Sequence, residues 1–380
     1  MRKLNALLLL LGLLVSLGCE GGEPLALPSL GEGPRVKESA SSPTSPLRIY
    51  FTRPGEAADG PDSPALALAN YINQARQSID VCAFELDNRI ITEALLAAVN
   101  RGVKVRLVTE TDYLHESGVQ VLKAAGVPVV DDQRDGALMH NKFMVFDNES
   151  VWTGSMNFTE NCAYRNNNHG IHVDDPYIAA NYATKFAWMF EQKKFGGTPT
   201  RADRIPHPIV VLRDGTRVEN YFSTHDKVAD RIVDELDQAQ ASIRFLAFSF
   251  THSRMVESMQ RRAQQGVTVA GVFEKSQAAS SYSAYNKLRV TPAAMTTTTG
   301  SAMKVDVFLD ANPRNMHHKV IIIDNETVVA GSFNFSLSAD QSNDENALIF
   351  RSRDVARQFE FEFQKLFLDA KNAAMPVAAR

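Results

Sequence analysis

Short apolar runs bounded by polar residues recur along the chain and predict buried β-strands. The clearest of these runs occupy residues 79–84, 143–146 and 320–323. Between the runs, apolar side chains return every three or four positions, which is the spacing of one face of an α-helix. The first such stripe includes Leu68 and Ile72 and follows Ser63-Pro64, a pair typical of the N-cap and first position of a helix. The pattern therefore predicts a mixed α/β fold.

The strand and helix pattern occurs twice. Residues 78–110 align with residues 242–274 at an offset of 164, and each copy has the order strand, helix, glycine, strand. Gly102 and Gly266 directly follow the helical stretch, as expected at a helix C-terminus. Two strands joined by such a crossover lie parallel in one sheet. Each half therefore predicts a βαβ unit of its own.

The duplication predicts two homologous repeats, at residues 47–195 and 214–370. Residues 196–213, rich in glycine and proline, predict a linker between them, and residues 371–380 form a short tail. The offset between the copies grows from 164 to 177 within the second repeat, which therefore has thirteen extra residues. This insertion contains the threonine run 296–299. We interpret it as a candidate lid over a functional site, with a solvent-exposed loop as the alternative.

Composition limits the function without identifying it. A chain of 380 residues with 44% hydrophobic and 22% charged residues has room for two ordinary globular domains. Its formal net charge of −4 disfavours a broad nucleic-acid footprint, because such surfaces neutralise several phosphates with clustered Lys and Arg. A local basic groove is compatible with this charge.

Residues 1–19 have the layout of a secretory signal peptide, with a basic start, an apolar run at 6–17 and then Gly18-Cys19. The apolar run is too short to span a bilayer. The small residue before Cys19 resembles the bacterial lipoprotein signal, which implies cleavage and lipidation at Cys19. Residues 20–46 then predict a flexible tether. We expect an exported protein held on a membrane by this anchor, facing the periplasm or the cell exterior, with plain secretion as the alternative.

Two further cysteines, Cys82 and Cys162, follow the tether. Cys82 lies in an apolar run and is most simply a small buried hydrophobic residue. A disulfide between the two is the alternative in an exported protein. No Cys and His residues have the spacing of a zinc site. We therefore expect neither a metal nor another cofactor.

The strongest similarity between the halves lies in residues 139–158 and 316–335, which match at eleven of twenty positions. Each copy places a histidine and a lysine two residues apart before an apolar run, so both side chains point to one face of a strand. A Gly-Ser-x-Asn sequence follows. The matched polar residues are His140 and His317, Lys142 and Lys319, and Asn157 and Asn334. Such a set suits a phosphodiester, whose charged oxygens need donors and whose displacement needs a nucleophile and an acid.

These motifs resemble the signature of the phospholipase D superfamily, which is His-x-Lys, four residues, Asp, and then Gly-Ser-x-Asn. Asp147 and Asp324 occupy the Asp position, and Ser155 and Ser332 the Ser position. The resemblance implies two α/β sandwich halves related by a pseudo-twofold axis, with one active site at their interface. It also implies a phosphohistidine, formed by one histidine while the other protonates the leaving group. We interpret the aspartates as structural acceptors and the serines as local contacts.

One position of the site differs in charge between the halves. Eleven residues beyond the motif asparagine stands Glu345 in the second half and Asn168 in the first. In the family these positions hold the partners of the histidines, and the resemblance implies that the pairing crosses between halves. Glu345 would then raise the basicity of His140, the nucleophile, while Asn168 would hold His317, the general acid. Pairing within each half would reverse these roles.

Hydrolysis of a phospholipid to phosphatidic acid and a free head group is the function that these features favour. A nuclease or another nucleic-acid phosphodiesterase of the same superfamily is the main alternative. Phosphatidyl transfer, as in cardiolipin synthases, would use the same site with an alcohol in place of water. A binding protein without activity is a third hypothesis, although such members usually lack a motif histidine or lysine. We expect a monomer.

Overall fold

Two mixed β-sheets of the same topology form the framework of the protein. The computed structural model of the chain describes residues 45–55, 63–197, 200, 204–289 and 303–375. The expected signal peptide, nearly all of the expected tether, the threonine run of the candidate lid and the end of the tail lie outside these ranges. Within them, no helix combines the length and apolar character that a membrane span requires.

The strands of the first sheet are β1 (Leu47–Phe51), β2 (Ser78–Ala83), β3 (Lys104–Thr109), β4 (Val129–Asp131), β5 (Lys142–Phe146), β6 (Ser150–Gly154) and β7 (His169–Val173). Their order in the sheet is β1-β7-β6-β5-β2-β3-β4. β2, β3 and β4 are parallel neighbours, and the other neighbours are antiparallel. The predicted βαβ unit is therefore confirmed as β2 and β3.

The strands of the second sheet are β8 (Ile209–Val211), β9 (Arg217–Phe222), β10 (Ser242–Ala247), β11 (Thr268–Phe273), β12 (Val305–Leu309), β13 (Lys319–Ile323), β14 (Thr327–Gly331) and β15 (Asn346–Arg351). Their order, β12-β11-β10-β13-β14-β15-β9-β8, repeats that of the first sheet with one strand added. The added strand, β8, lies within the predicted linker 196–213 and pairs with β9. This strand is not among the elements predicted from the sequence.

The helices of the first half are α1 (Pro64–Gln74), α2 (Arg89–Asn100), α3 (Ser117–Ala124), α4 (Glu160–Tyr164) and α5 (Pro176–Phe190), with a 3₁₀ turn at Thr111–Tyr113. Those of the second half are α6 (Val228–Gln238), α7 (Ser253–Gln264), α8 (Lys275–Ala278), α9 (Ala284–Arg289), α10 (Leu337–Gln341) and α11 (Arg353–Ala374). α1 begins at Pro64 as predicted, although the N-cap Ser63 makes no side-chain capping bond. Gly102 and Gly266 follow α2 and α7 with φ of 84° and 96°, the left-handed conformation that ends a helix.

One apolar core is shared by the two halves. It contains side chains of β5 and β13, the strands that carry the motif lysines, together with residues of α5 and α11. Phe143 and Phe186 of the first half and Val320 and Phe363 of the second are buried in it. Two further cores lie on the outer faces, under α1 and α2 and under α6 and α7. Since each buried side chain of this size contributes about 1.5–3 kcal/mol, the shared core holds the halves together.

A buried ion pair also joins the halves. Nζ of Lys185, on α5, lies 2.6 Å from Oδ1 of Asp344, which stands two residues before β15, and neither side chain is exposed. Asp344 also accepts hydrogen bonds from Nη2 of Arg134 at 2.8 Å and from the Gly196 backbone N–H at 3.0 Å. A charge in such a position is stable only while its partners remain. The pair therefore couples α5 to the chain that enters β15.

Lys185→Met is expected to lower the free energy of unfolding by about 3 kcal/mol, because Asp344 stays buried and loses its ammonium partner. Urea denaturation followed by circular dichroism measures this value. Arg89→Met, which breaks an exposed ion pair with Glu93 on α2, is the matched control and should cost about 0.5 kcal/mol or less. Equal losses in the two variants would contradict the importance of burial here.

Candidate active site

The motif lysines and histidines lie at the start of one central strand of each sheet. Lys142 is the first residue of β5 and Lys319 the first of β13, and each is 1% exposed. The histidines stand two residues earlier, so strand alternation brings them to the same side. Each lysine donates from Nζ to the carbonyl of its own motif histidine, Lys142 to His140 at 2.5 Å and Lys319 to His317 at 2.9 Å. The ammonium and imidazole of each motif therefore lie side by side.

An aromatic ring supports each of these pairs. The Phe84 ring lies 4.6 Å from the His140 ring and 4.6 Å from the ammonium nitrogen of the same motif. The Phe248 ring takes the equivalent place in the second half, at 4.5 Å and 4.6 Å. An ammonium group is attracted to the face of an aromatic ring. Neither ring is among the residues predicted from the sequence, although the two occupy the same position in the aligned copies.

Backbone hydrogen bonds between the halves hold the motif histidines. The N–H of His140 donates to the carbonyl of Asp344 at 3.0 Å, and the N–H of His317 donates to the carbonyl of Asn167 at 2.8 Å. Each of these contacts forms part of a short parallel bridge between the segment before one motif and the segment before the last strand of the other half. The two motifs are therefore assembled at one interface, as the resemblance implies.

The side-chain contacts of the histidines also cross the interface. Nδ1 of His140 lies 2.8 Å from Oε2 of Glu345, and Nδ1 of His317 lies 2.9 Å from Oδ1 of Asn168. The predicted crossed contacts are confirmed, and pairing within each half is not observed. The contacts have the reciprocal pattern of a pseudo-twofold axis, with a carboxylate on one side and an amide on the other. The assignment of nucleophile and general acid stays a prediction.

Neighbouring groups fix the orientation of the Asn168 amide. Its Nδ2 donates to the carbonyl of Cys162 at 2.9 Å, and its Oδ1 accepts from Oγ of Ser155 at 2.9 Å. Because Oδ1 faces Nδ1 of His317, that nitrogen carries a hydrogen and Nε2 is the reactive atom. In the other half, Oγ of Ser332 accepts from the backbone N–H of Asn346 at 3.0 Å. Both serines therefore make local contacts beside the histidine partners.

The histidines and lysines form a cluster with excess positive charge. Burial is the main cause that depresses the pKa of His140, and the charges of Lys142 and Lys319 depress it further. Burial and the same two lysines depress the pKa of His317. Burial lowers the pKa of Lys142 to about 8 and depresses that of Lys319 as well. The groups lie close enough to affect one another, and a bound anion would reverse these shifts. The cluster is therefore suited to hold a phosphate.

The carboxyl group of Glu345 controls the protonation of His140. Burial raises the pKa of Glu345 to about 8, although the charges of Lys142 and Lys319 oppose this rise. Below that pH the carboxyl group keeps its proton and donates it in a hydrogen bond to Nδ1 of His140. The hydrogen of the neutral imidazole is then on Nε2. When the pair loses one proton, Glu345 accepts a hydrogen bond from Nδ1–H and leaves Nε2 free. The form of His140 with a free Nε2 therefore increases as the pH rises toward 8.

The two motif asparagines have different surroundings. Nδ2 of Asn157 donates to the carboxylate of Glu85 in a short hydrogen bond, whereas the residue aligned with Glu85 is Ser249. Burial raises the pKa of Glu85. Oδ1 of Asn157 and Oδ1 of Asn334 are buried, and neither has a hydrogen-bond partner in the described part of the chain. Glu85 is not among the residues predicted from the sequence, and the signal that could have found it is its difference from Ser249 in the aligned copies.

Comparison with known families shows which group this site belongs to. The family model described as "Cardiolipin synthase, PLD-like domain" matches residues 68–190 and 232–367, one range in each half. The chain belongs to the phospholipase D superfamily. The two halves with the same strand order are therefore both phospholipase D-like, as the duplicated motifs predict.

Individual relatives in the superfamily match parts of this chain. Mitochondrial cardiolipin hydrolase of Xenopus tropicalis is 35% identical over 133 residues, which cover 34% of this chain and 63% of that protein. Phospholipase D of Rickettsia typhi is 27% identical over 190 residues, which cover 50% of this chain and 82% of that protein. The solved phosphatidylserine synthase of Haemophilus influenzae covers 84% of this chain and 86% of its own, with a TM-score of 0.62 and 13% identity, a likeness of fold alone. The chain thus spans less than two thirds of the cardiolipin hydrolase.

The aspartates of the phospholipase D signature are structural acceptors, as predicted. Asp147 accepts hydrogen bonds from three consecutive backbone N–H groups, those of residues 76, 77 and 78, at 2.7–2.9 Å. Asp324 accepts from residues 240, 241 and 242 in the same way. Partial burial alone would raise the pKa of either carboxyl group, but the N–H donors outweigh it and hold each pKa below its usual value. Both residues anchor the start of the strand that pairs with their own.

Asp147→Ala is expected to lower the free energy of unfolding at pH 7 by about 2 kcal/mol, because three N–H groups lose a charged acceptor. A carboxyl group with a depressed folded-state pKa stabilises the protein above its unfolded pKa of about 3.9, and this stability is lost as the pH falls through the folded pKa. The difference between wild type and variant, measured by urea denaturation at several pH values, should therefore shrink in acid. Exposed Glu149→Ala is the control, and an equal, pH-independent loss there would contradict the account.

Cys82 and Cys162 are buried free thiols, so the disulfide alternative is not observed. Sγ of Cys82 lies 3.2 Å from Sδ of Met139 within the core. Among the residues that the structure describes, no group of three or more His, Cys, Asp or Glu is arranged to hold a metal. Metal-independent activity stays a prediction that experiment must test.

Proposed function

We propose that this protein is a phosphodiesterase that hydrolyses a phospholipid to phosphatidic acid and a free head group through a phosphohistidine. The proposal rests on the unequal contacts of the two histidines, His140 with the carboxyl group of Glu345 and His317 with the amide of Asn168. A two-step displacement needs one imidazole as a free base and another that carries a proton. The different partners supply this difference within one cationic cluster.

In the first step, Nε2 of His140 attacks phosphorus, so that a P–N bond forms and the bond to the head-group oxygen breaks. His317 donates its Nε2 proton to that oxygen, and the head group leaves as an alcohol. Lys142, Lys319 and the motif asparagines donate to the non-bridging oxygens, where negative charge builds up. The carboxylate of Glu345 stabilises the positive charge that His140 acquires.

In the second step, neutral His317 takes a proton from water while the water oxygen attacks phosphorus and the P–N bond breaks. Phosphatidic acid leaves, His140 is regenerated, and His317 ends the cycle protonated. An alcohol in place of water would give phosphatidyl transfer by the same steps. The description of the matching family as cardiolipin synthase favours this transfer as the second candidate function.

Charge beside the site supports a lipid substrate over a nucleic acid. Four acidic residues of the first half, which we call the acidic rim, lie near Phe84 and Tyr113, whose rings are 4.8 Å apart. They are Glu85, Asp87, Asp112 and Glu116, which affect the pKa of one another or of Tyr113. The aligned residues of the second half all carry hydroxyl groups: Ser249, Thr251, Ser276 and Ser280. Such a rim repels a polyanion more than a single phosphodiester.

A side-by-side assay on phosphatidylcholine, phosphatidylglycerol, cardiolipin and single-stranded DNA tests the proposed function. We expect phosphatidic acid and a free head group from a choline or glycerol phospholipid, and intact DNA at the same enzyme concentration. Added glycerol separates the two candidate functions, because transfer converts phosphatidylcholine to phosphatidylglycerol. Cleavage of DNA without lipid turnover would replace the proposal with a nuclease. A wild-type protein that turns over none of these substrates would favour a binding protein.

Activity is expected to survive EDTA, because the proposed steps use only side chains of this chain. The measurement compares initial rates of head-group release after dialysis against EDTA and after dialysis against buffer alone, on a short-chain phospholipid in solution. Equal rates are the expected result. A loss that added Zn²⁺ or Mg²⁺ alone restores would contradict metal-independent chemistry.

We also propose that the protein is exported and lipidated at Cys19, which lies outside the described residues. The support is the sequence of residues 1–19, with its basic start, apolar run and Gly18-Cys19. Incorporation of labelled palmitate into the full chain in a bacterial host, but not into Cys19→Ser, is the expected result. Equal labelling of the two would contradict the anchor. The expected monomer also stays a prediction, to be tested by analytical ultracentrifugation.

A further inference from the structure

A second contact between the halves lies directly beside the His317 pair. His318 follows His317 in the chain, and His169 follows Asn168, the partner of His317. Nδ1 of His169 and Nδ1 of His318 are 3.0 Å apart, and their ring planes differ by 1°. Both side chains are fully buried. We call this contact the imidazole rung. It joins His318, the neighbour of the proposed general acid His317, to His169, the neighbour of Asn168.

The other motif has an equivalent rung of different chemistry. The residues aligned with His318 and His169 are Asn141 and Asn346, and Nδ2 of Asn346 donates to Oδ1 of Asn141 at 2.9 Å. Oδ1 of Asn346 in turn accepts from Tyr182 Oη at 3.1 Å. We call this contact the amide rung. Each motif histidine is thus flanked by one hydrogen-bonded pair across the interface, and the two pairs form an internal comparison.

The surroundings of the imidazole rung assign its hydrogens. Nε2 of His318 lies 3.5 Å from Oε1 of Glu362, whose other oxygen lies 3.1 Å from Nη1 of Arg53. An ionised Glu362 favours a hydrogen on Nε2 of His318, so Nδ1 of His318 accepts and Nδ1–H of His169 donates. Burial, the larger cause in each ring, depresses the pKa of both His169 and His318. The rung is therefore a hydrogen bond between two neutral rings at neutral pH.

We propose that His169 and His318 are positioning residues for His317, and that their hydrogen bond keeps Nε2 of His317 aligned with the departing head-group oxygen. This inference rests on the proposed function. His318 is bonded directly to His317 in the chain, and His169 is bonded directly to Asn168. Loss of the rung therefore lets His317 and Asn168 shift relative to each other. Proton transfer needs hydrogen-bond reach, and a misplacement of about 1 Å costs about 100-fold in rate.

Substrates that differ only in the leaving group isolate the contribution of His317. Choline must leave as an alcohol and needs a proton, whereas p-nitrophenolate leaves without one. We define the leaving-group ratio as kcat/KM for dihexanoyl phosphatidylcholine divided by kcat/KM for dihexanoyl phosphatidyl-p-nitrophenol. Damage to the fold, to Lys319 or to the nucleophile lowers both rates and leaves this ratio unchanged. Misplacement of the general acid lowers the ratio.

The experiment measures the leaving-group ratio in wild type, in four variants of the two rungs and in the positive control His317→Ala. His318→Ala and His169→Ala are each expected to lower it about 30-fold or more. His318→Asn keeps an acceptor in the place of Nδ1 and copies Asn141 of the amide rung, so its ratio should stay within about threefold of wild type. Asn141→Ala is the matched control, because it breaks the amide rung beside His140 and should leave the ratio unchanged.

Three outcomes overturn the inference. They are an unchanged ratio in His318→Ala or His169→Ala, an equal fall in Asn141→Ala, and a His318→Asn variant that behaves like His318→Ala. His317→Ala is the positive control and must itself lower the ratio. A wild-type protein inactive on both substrates refutes the proposed function and the inference together. An active wild type, with the His317→Ala effect present and the ratio intact in His318→Ala, refutes the positioning role alone.

Discussion

Replacing His140 with alanine is expected to reduce kcat on phosphatidyl-p-nitrophenol by roughly 10⁴-fold or more, because His317, the other motif histidine, has an amide and not a carboxylate as its partner. The fold should persist, since the His140 ring packs on Phe84 and the backbone hydrogen bond from this position to Asp344, which joins the halves, is kept in the variant. Steady-state release of p-nitrophenolate, with thermal unfolding measured in parallel, provides the test. An activity loss that follows a loss of structure would not support the nucleophile assignment.

His317→Ala is the control that separates nucleophile from general acid. On phosphatidyl-p-nitrophenol it should still attack through His140, because this leaving group needs no proton. It should then stall, because no base activates water for the second step. The expected result is a burst of one p-nitrophenolate per protein and a phosphatidyl adduct on His140, seen by mass spectrometry. An adduct on His317 in the His140→Ala protein would reverse the two roles.

Glu345→Gln is expected to lower kcat/KM by about 100-fold and to remove a pH dependence that wild type shows. Burial raises the pKa of Glu345 to about 8, and loss of this proton creates the free Nε2 of His140. Wild-type kcat/KM should therefore rise as the pH increases toward 8. A glutamine accepts the Nδ1–H bond at every pH and leaves His140 less basic, so the rise should disappear. The pH profile of kcat/KM for the p-nitrophenyl substrate measures this.

The mirror variant Asn168→Glu tests the other side of the crossed arrangement. A carboxylate in contact with Nδ1 of His317 should raise the pKa of that imidazole and slow protonation of the leaving group. Turnover of phosphatidylcholine should fall. The first p-nitrophenolate should still be released from the p-nitrophenyl substrate, because that leaving group needs no proton. A pH profile identical to wild type in both Glu345→Gln and Asn168→Glu would remove the basis for different roles of the two histidines.

The crossed contacts could be predicted from sequence because one aligned position, Glu345 against Asn168, differs in charge within otherwise matching motifs. The family resemblance supplied the rule that the partners cross. The duplication also predicted strands β5 and β13, since in both copies an apolar run follows His-x-Lys and indicates a buried strand. Asp147 was predicted as a structural acceptor because it lies beyond the strand from the histidines, and its three N–H donors confirm that role.

The imidazole rung could not be predicted in this way. His169 and His318 are 149 residues apart, the x of His-x-Lys has no fixed chemistry, and the contact depends on how the halves dock. The same limit applies to Lys185 and Asp344, whose charges are paired only by tertiary packing. Strand β8 was missed for another reason. It has three residues, and only the middle one is buried. An apolar pattern this short does not indicate a strand when the surrounding glycines and prolines indicate a linker.

The backbone bridges to His140 and His317 tie chemical competence to assembly. Each half supplies to the other the carbonyl that holds its histidine and the side chain that selects its tautomer. A chain that has folded only its first half contains His140 without an acceptor at Nδ1 and without a second lysine. During synthesis such a chain lacks the contact that leaves Nε2 of His140 free to attack in the proposed mechanism, and reactivity toward a phosphodiester begins only when Glu345, directly before the last strand, β15, is in place.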